Sequence, residues 1–142
     1  MGVHTRVTID DFSIGQSAQH ERTITEADVL AFADITGDHN PVHVDAESAA
    51  ASSFGARVVH GMLTASLISA ALATHLPGPG AIYVSQTLRF LRPVKLGETV
   101  TVHLAITSID APKRKLVLAT AVRNARGKTV LDGEATALVP SS

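Results

Sequence analysis

The segment DITGDHNPVHVD, residues 34–45, places a carboxylate and an imidazole, Asp38 and His43, on either side of an Asn-Pro step. Asn40 precedes Pro41 and is driven out of helical geometry, so no continuous helix joins the two side chains. Both can then project from one turn toward a single point. A carboxylate and an imidazole converging on one water make an acid/base pair. Histidine titrates near neutrality, and a neighbouring acid sets its tautomer. Taken alone, the two residues also admit a plainer reading, with Asp38 capping a turn and His43 an ordinary satisfied polar group. A metal set of Asp38, His39, His43 and Asp45 matches no standard zinc spacing, and Pro41 breaks the helix that would align i with i+4. No metal is expected.

Gly61, in VVHGMLTAS, stands where an apolar helix begins. Backbone N–H groups there lack intrahelical partners, and the helix dipole favours negative charge. A glycine lets a ligand approach closely, which is how an oxyanion hole for an ester or thioester carbonyl can be built. Crowding between helix and sheet would explain the same glycine. Thr64, Ser66 and Ser69 follow on that helix, where small hydroxyls usually bond back to the preceding turn. His60 and His75 flank it and are expected to cap it or lie on the surface. Arg89, Arg92 and Lys95 form a modest basic cluster, either solvated strand charges or a phosphate contact.

These residues need elements to hold them. Thr25 can cap a helix through Val29, Leu30, Phe32 and Ala33 to Ile35, with Glu26 and Asp28 in its first turn and Thr36-Gly37 as its stop. Asp45 can cap a short second helix that Phe54 and Gly55 end. Met62 to Leu76 is apolar on nearly every face, the pattern of an interior helix, and PGPG at 77–80 stops it. The period then becomes two. Ile82, Val84, Leu88 and Phe90 suggest one strand. Val100 to Ile106, Leu116 to Val122 and Val130 to Val139 suggest three more, with turns at Ala111-Pro112-Lys113 and Asn124 to Gly127. The fold class is α+β, helices first and an antiparallel sheet after.

A chain of 142 residues is expected to form one domain, 1–142. Twelve basic against thirteen acidic residues set up no field for nucleic acid or a membrane. The absence of cysteine excludes disulfides, thiolate metal sites and a cysteine nucleophile. No signal-peptide pattern and no membrane-length apolar run are found, so a cytoplasmic protein is expected.

Phe32 to Ala49, FADITGDHNPVHVDAESA, resembles the signature of the MaoC-like (R)-specific enoyl-CoA hydratases. Its elements are Phe32, Gly37, Asp38, Asn40, Pro41, Val42, His43 and Ala49. The likeness continues through VVHGMLTASLISAAL and LPGPGAIYVSQTLRFLRPVKLGE and covers the chain from about residue 10 to Pro140. It is strongest to the short, single-domain hydratases that feed polyhydroxyalkanoate synthesis. The resemblance implies a hot-dog fold, a long central helix wrapped by a curved antiparallel sheet, and a homodimer. It implies reversible hydration of a trans-2-enoyl-CoA to an (R)-3-hydroxyacyl-CoA. Asp38 and His43 would hold the water and act as acid and base. The Gly61 N–H would polarise the thioester, Ser69 would support the water site, and Asn40 would shape the turn. Leu72 and the last strand near Thr136 would line the acyl tunnel, and Arg89 and Arg92 would meet the coenzyme A phosphates. No cofactor is implied beyond the coenzyme A of the substrate. Competing expectations are a thioesterase, a dehydratase subunit of fatty-acid synthesis and a non-catalytic acyl-CoA-binding module.

Overall fold

The computed structural model describes residues 7–140. Helix α1, Glu26–Thr36, begins at a reciprocal box: the Thr25 hydroxyl accepts from the Asp28 N–H at 3.2 Å and the Asp28 carboxylate from the Thr25 N–H at 2.9 Å. That N–H, and the Arg22 guanidinium 2.8 Å away, hold the Asp28 carboxyl below its usual value. Gly37 ends α1 in the left-handed region at φ 80°, a conformation glycine adopts without strain. Helix α2, Pro41–Val44, starts with proline in its first turn and Asn40 as its cap. Helix α3, Ala46–Ala50, is capped by Asp45. It stops short of the Phe54 boundary that the sequence suggests.

Helix α4, Gly61–Thr74, is the central element. It lies against a sheet built from β1 (Ser17–Thr23), β2 (Ile82–Gln86), β3 (Arg89–Phe90), β4 (Thr99–Asp110), β5 (Lys115–Asn124) and β6 (Thr129–Leu138). The strand order is β1-β4-β5-β6-β2, with β3 also on β6, and every pairing is antiparallel. This is the hot-dog arrangement. Period-two burial is clean over much of two long strands: Val100, Val102, Leu104 and Ile106 on β4 and Leu116, Leu118 and Val122 on β5 face inward. They meet Ala65, Ile68, Ala71 and Leu72 on one stripe of α4.

The structure corrects three expectations. A strand, β1, precedes the helices. Residues 82–90 form two strands, because at Thr87 the chain presses onto β6: a Cβ on Gly133 would lie 1.8 Å from the Thr87 carbonyl oxygen. The Thr87 N–H donates to the Glu134 carbonyl at 2.9 Å, which pins the crossing. Finally, α4 is not enclosed on all sides within one chain. One sheet covers one face, and Met62, Ser66, Ser69 and Ala73 stay exposed on the other. Among the described residues no helix is long and apolar enough to cross a membrane.

Candidate active site

Asp38 follows the left-handed Gly37, so the chain turns sharply as α1 ends. Its carboxylate accepts from the Asn40 N–H at 3.3 Å, and the Asn40 side chain accepts from the Val42 N–H at 3.3 Å. These two local bonds, with Pro41, set the turn that leads into α2. His43, one turn into α2, is half-buried. Its Nδ1 lies 2.7 Å from the Val58 carbonyl oxygen. A carbonyl only accepts, so Nδ1 carries the proton and Nε2 presents a lone pair. The Arg57 Nε donates to the His43 carbonyl at 2.7 Å, and the Val58 N–H donates to the Val42 carbonyl at 3.0 Å. α2 is thereby tied to the segment that enters α4.

Asp38, His43 and His60 each offer a polar side-chain atom, all within 4.8 Å of one another. The turn does bring Asp38 and His43 together. His60 is a residue that sequence reasoning misplaced: it is buried, at 2% exposure, and makes no side-chain cap to α4. Its ring packs on His43 at 4.0 Å between centroids and on Phe32 at 4.8 Å. The sequence signal is the His-Gly step directly before an apolar helix, with an aromatic residue, Phe32 on α1, to cover the ring.

The three residues could hold a cation, but a metal must lie in the plane of each imidazole at about 2.0–2.1 Å. The His43 and His60 rings pack at 4.0 Å between centroids with 32° between their planes. Of the other acids and histidines weighed from sequence, His39 lies 3.9 Å from Asp34, and Asp45 caps α3 and binds the Ser48 hydroxyl at 2.8 Å. The Ser48 hydroxyl and N–H hold the Asp45 carboxyl below its usual value.

A cavity of about 520 Å³ opens beside His43, a size suited to a small organic ligand. Asn40, Val42, His43, Gly61, Phe90 and Arg92 are among the residues that line it. Asp38 is exposed and is not among the wall residues; it meets the cavity through His43. Gly61 is the first residue of α4, and the missing side-chain cap leaves the first-turn N–H groups free of that competitor. A Cβ there would stand 2.8 Å from Phe90 Cε1, so only glycine keeps this N-terminus open under the Phe90 ring.

Other predicted positions fall elsewhere. Ser69 lies eight residues beyond Gly61, roughly 12 Å along the helix at 1.5 Å per residue. With Leu72, Tyr83 and Ala137 it lines a separate cavity of about 70 Å³, so within one chain it does not join Asp38 and His43. Burial there pushes the Tyr83 hydroxyl above its usual value. Leu72 is buried in that same wall. Thr136 is not: Ala135 and Ala137 turn inward on β6, and strand alternation sends Thr136 to the opposite face. Ala137 takes the expected place. Arg89 is already engaged by Asp132 through two bonds of 3.0 Å, which raise its pKa further, so its charge is matched before any phosphate arrives. Arg92 remains at the cavity, with Nη1 donating to the Thr129 carbonyl at 3.0 Å.

The family described as MaoC like domain matches residues 11–126 of this sequence. The chain belongs to the MaoC-like family. A curated relative, the (R)-specific enoyl-CoA hydratase of Rhodospirillum rubrum, is 46% identical over 93% of this chain and 91% of its own length. Among solved structures, R-hydratase PhaJ1 from Pseudomonas aeruginosa superposes with a TM-score of 0.91 at 47% identity, covering 96% of this chain and 88% of that one. The (R)-hydratase from A. caviae involved in PHA biosynthesis gives a TM-score of 0.88 at 38% identity, over 91% of this chain and 98% of that one. The matched stretch of this MaoC-like chain includes Asp38, His43, His60 and Gly61.

Proposed function

We propose that this MaoC-like chain is an (R)-specific enoyl-CoA hydratase, a hydro-lyase that adds water reversibly to a trans-2-enoyl-CoA. The observation that carries the reading is the convergence of Asp38 and His43 beside a cavity with the open N-terminus of α4 on its wall. The relatives named above support the same activity. Water held between the Asp38 carboxylate and the His43 Nε2 attacks C3. The water proton passes to the pair, with Asp38 the principal base, and C2 takes a proton to complete the hydration. Negative charge that develops on the thioester oxygen is met by the Gly61 N–H and the positive end of α4.

The thioester itself acidifies C2, so the proposed chemistry calls on no metal or redox cofactor. Arg92 is proposed as the contact for a coenzyme A phosphate, and Leu72 with Ala137 as part of the acyl path. Supply of (R)-3-hydroxyacyl-CoA for polyhydroxyalkanoate synthesis belongs to the same proposal, supported by the similarity to the A. caviae enzyme. So do a cytoplasmic location and a homodimer. Supporting the dimer, β2 is an edge strand with Ile82 at 58% and Val84 at 54% exposure, a surface that pairing with a second copy would cover.

The test is incubation with crotonyl-CoA and, in parallel, octenoyl-CoA, followed by enoyl-thioester absorbance, free thiol and product chirality. Loss of absorbance without free thiol, giving the (R)-3-hydroxyacyl product, is expected. Release of free coenzyme A would make the protein a thioesterase instead, and an inert protein on both substrates would overturn the stand-alone hydratase.

A further inference from the structure

We propose that His60 is a positioning residue for the reaction, one that fixes the spacing between the Asp38 main chain and the His43 ring. This rests on the hydratase reading for its kinetic consequence but not for its structural one. His60 Nε2 lies 3.0 Å from the Asp38 carbonyl oxygen. The carbonyl accepts, so Nε2 carries the proton, and the imidazole has a defined tautomer. The same ring packs against His43 at 4.0 Å. One side chain therefore touches both halves of the acid/base pair: the backbone of one by a hydrogen bond, the ring of the other by stacking. Phe32 packs on the same ring at 4.8 Å between centroids, and His60 is only 2% exposed.

Among the described residues Asp38 has no other hydrogen bond to a distant segment. The Asp38 carboxylate is exposed, and its one hydrogen bond among the described residues is local, to the Asn40 N–H. α2 is a single turn. A lone helical turn does not hold its own geometry in water, so tertiary contacts must fix it. His43 has such contacts through Val58 and Arg57. Asp38 has His60. Loss of the Nε2 bond leaves the Asp38 carbonyl free to rotate away, and small misplacements of reacting groups are costly in rate, up to about 100-fold for 1 Å.

The imidazole also carries a buried Nδ1 with no hydrogen-bond partner among the described residues, and the same holds for the Thr64 hydroxyl one turn further along α4. A residue retained only to fill space between Phe32 and His43 would be an apolar ring, with no orphaned nitrogen to bury. The polar ring is explained by the bond that its other nitrogen makes.

The side-chain geometries of amides give a direct test. Glutamine presents its amide nitrogen near the Nε2 position, asparagine near Nδ1, and phenylalanine keeps the ring without a donor. His60→Gln, His60→Asn and His60→Phe are each compared with wild type in two assays. The first is steady-state hydration of crotonyl-CoA. The second is backbone hydrogen–deuterium exchange of residues 37–44, which needs no activity. For His60→Phe and His60→Asn the expected result is a kcat lowered by about 10–100-fold with KM within about threefold, together with faster exchange in that segment. His60→Gln is expected to restore both to within about threefold of wild type. Equal loss in Gln, Asn and Phe would overturn the hydrogen-bonding role, and full activity in Phe would reduce His60 to a space-filler. If the wild type hydrates neither crotonyl-CoA nor octenoyl-CoA, the hydratase reading fails by itself. The exchange pattern still decides the positioning role, since unchanged protection in His60→Phe would overturn it.

Discussion

Gly61→Ala separates the chemistry of the α4 N-terminus from its contribution to the fold. The added Cβ would stand 2.8 and 2.9 Å from Phe90 Cε1 and Cδ1, against 3.4 Å or more for ordinary contact. The obstacle is the far end of a side chain that is 55% exposed, so the ring can swing aside. Holding it off its rotamer costs about 0.5–1.5 kcal/mol. Replacing glycine by alanine at a compatible helical position returns about 0.4–1 kcal/mol through the unfolded chain. The two nearly cancel, so the melting midpoint is expected to stay within about 4 °C of wild type. Activity is expected to behave differently. The methyl and the displaced ring occupy the approach to the Gly61 N–H, and losing one oxyanion donor costs about 100–1,000-fold in kcat. Thermal unfolding and crotonyl-CoA kinetics on the same preparation read both quantities. Full activity at an unchanged midpoint would mean that no substrate oxygen approaches this N–H. A collapse of stability would refute the cancellation.

Three further outcomes follow from the geometry. Gly133→Ala drives a Cβ to 1.8 Å from the rigid Thr87 carbonyl, so chemical denaturation should show a loss of about 1–3 kcal/mol or more. An unchanged midpoint would disprove the close crossing of Thr87 over β6. Asp28 has its pKa lowered by the Thr25 N–H and Arg22, so its contribution to stability is full above the unfolded value of about 3.9 and fades as pH falls through the folded value. The gap in melting midpoint between wild type and Asp28→Asn should therefore be widest near about pH 6 and narrow below about pH 4; a gap that widens on acidification would reverse the sign. Exhaustive EDTA treatment should leave hydration of crotonyl-CoA unchanged, whereas a loss restored by a divalent cation would make Asp38, His43 and His60 metal ligands.

Much of this was legible because local chemistry and global fold agree in it. The Thr25–Asp28 box, the Gly37 stop and the Asn-Pro turn are each written in a few adjacent residues, and burial alternates without interruption from Val100 to Ile106 on β4 and from Leu116 to Val122 on β5. β1 was not legible: Ser17–Thr23 reads SAQHERT, a polar edge strand whose identity depends on its pairing with β4. Thr136 came from the resemblance rather than from the strand pattern, and on β6 Val130 and Leu131 are both buried. That irregularity, at the bulge where β6 leaves the β5 register between Val122 and Arg123, resets the parity and turns Ala137 inward. The pairing of Arg89 with Asp132 is a cross-strand match between β3 and β6, invisible at a separation of 43 residues. His60 was missed for a related reason. Its burial comes from Phe32 and His43 closing over it, and neither the helix pattern nor the capping rules contain that contact.

The Asp38–His43 pair acting on water is the central claim, and Asp38→Asn tests it most directly. The substitution keeps the size and turn geometry of the side chain while removing the base. Hydration of crotonyl-CoA by wild type should yield (R)-3-hydroxybutyryl-CoA, and Asp38→Asn, folded and with an unchanged melting midpoint, should lose about 100–10,000-fold in kcat. A folded Asp38→Asn protein that hydrates at the wild-type rate would contradict the account.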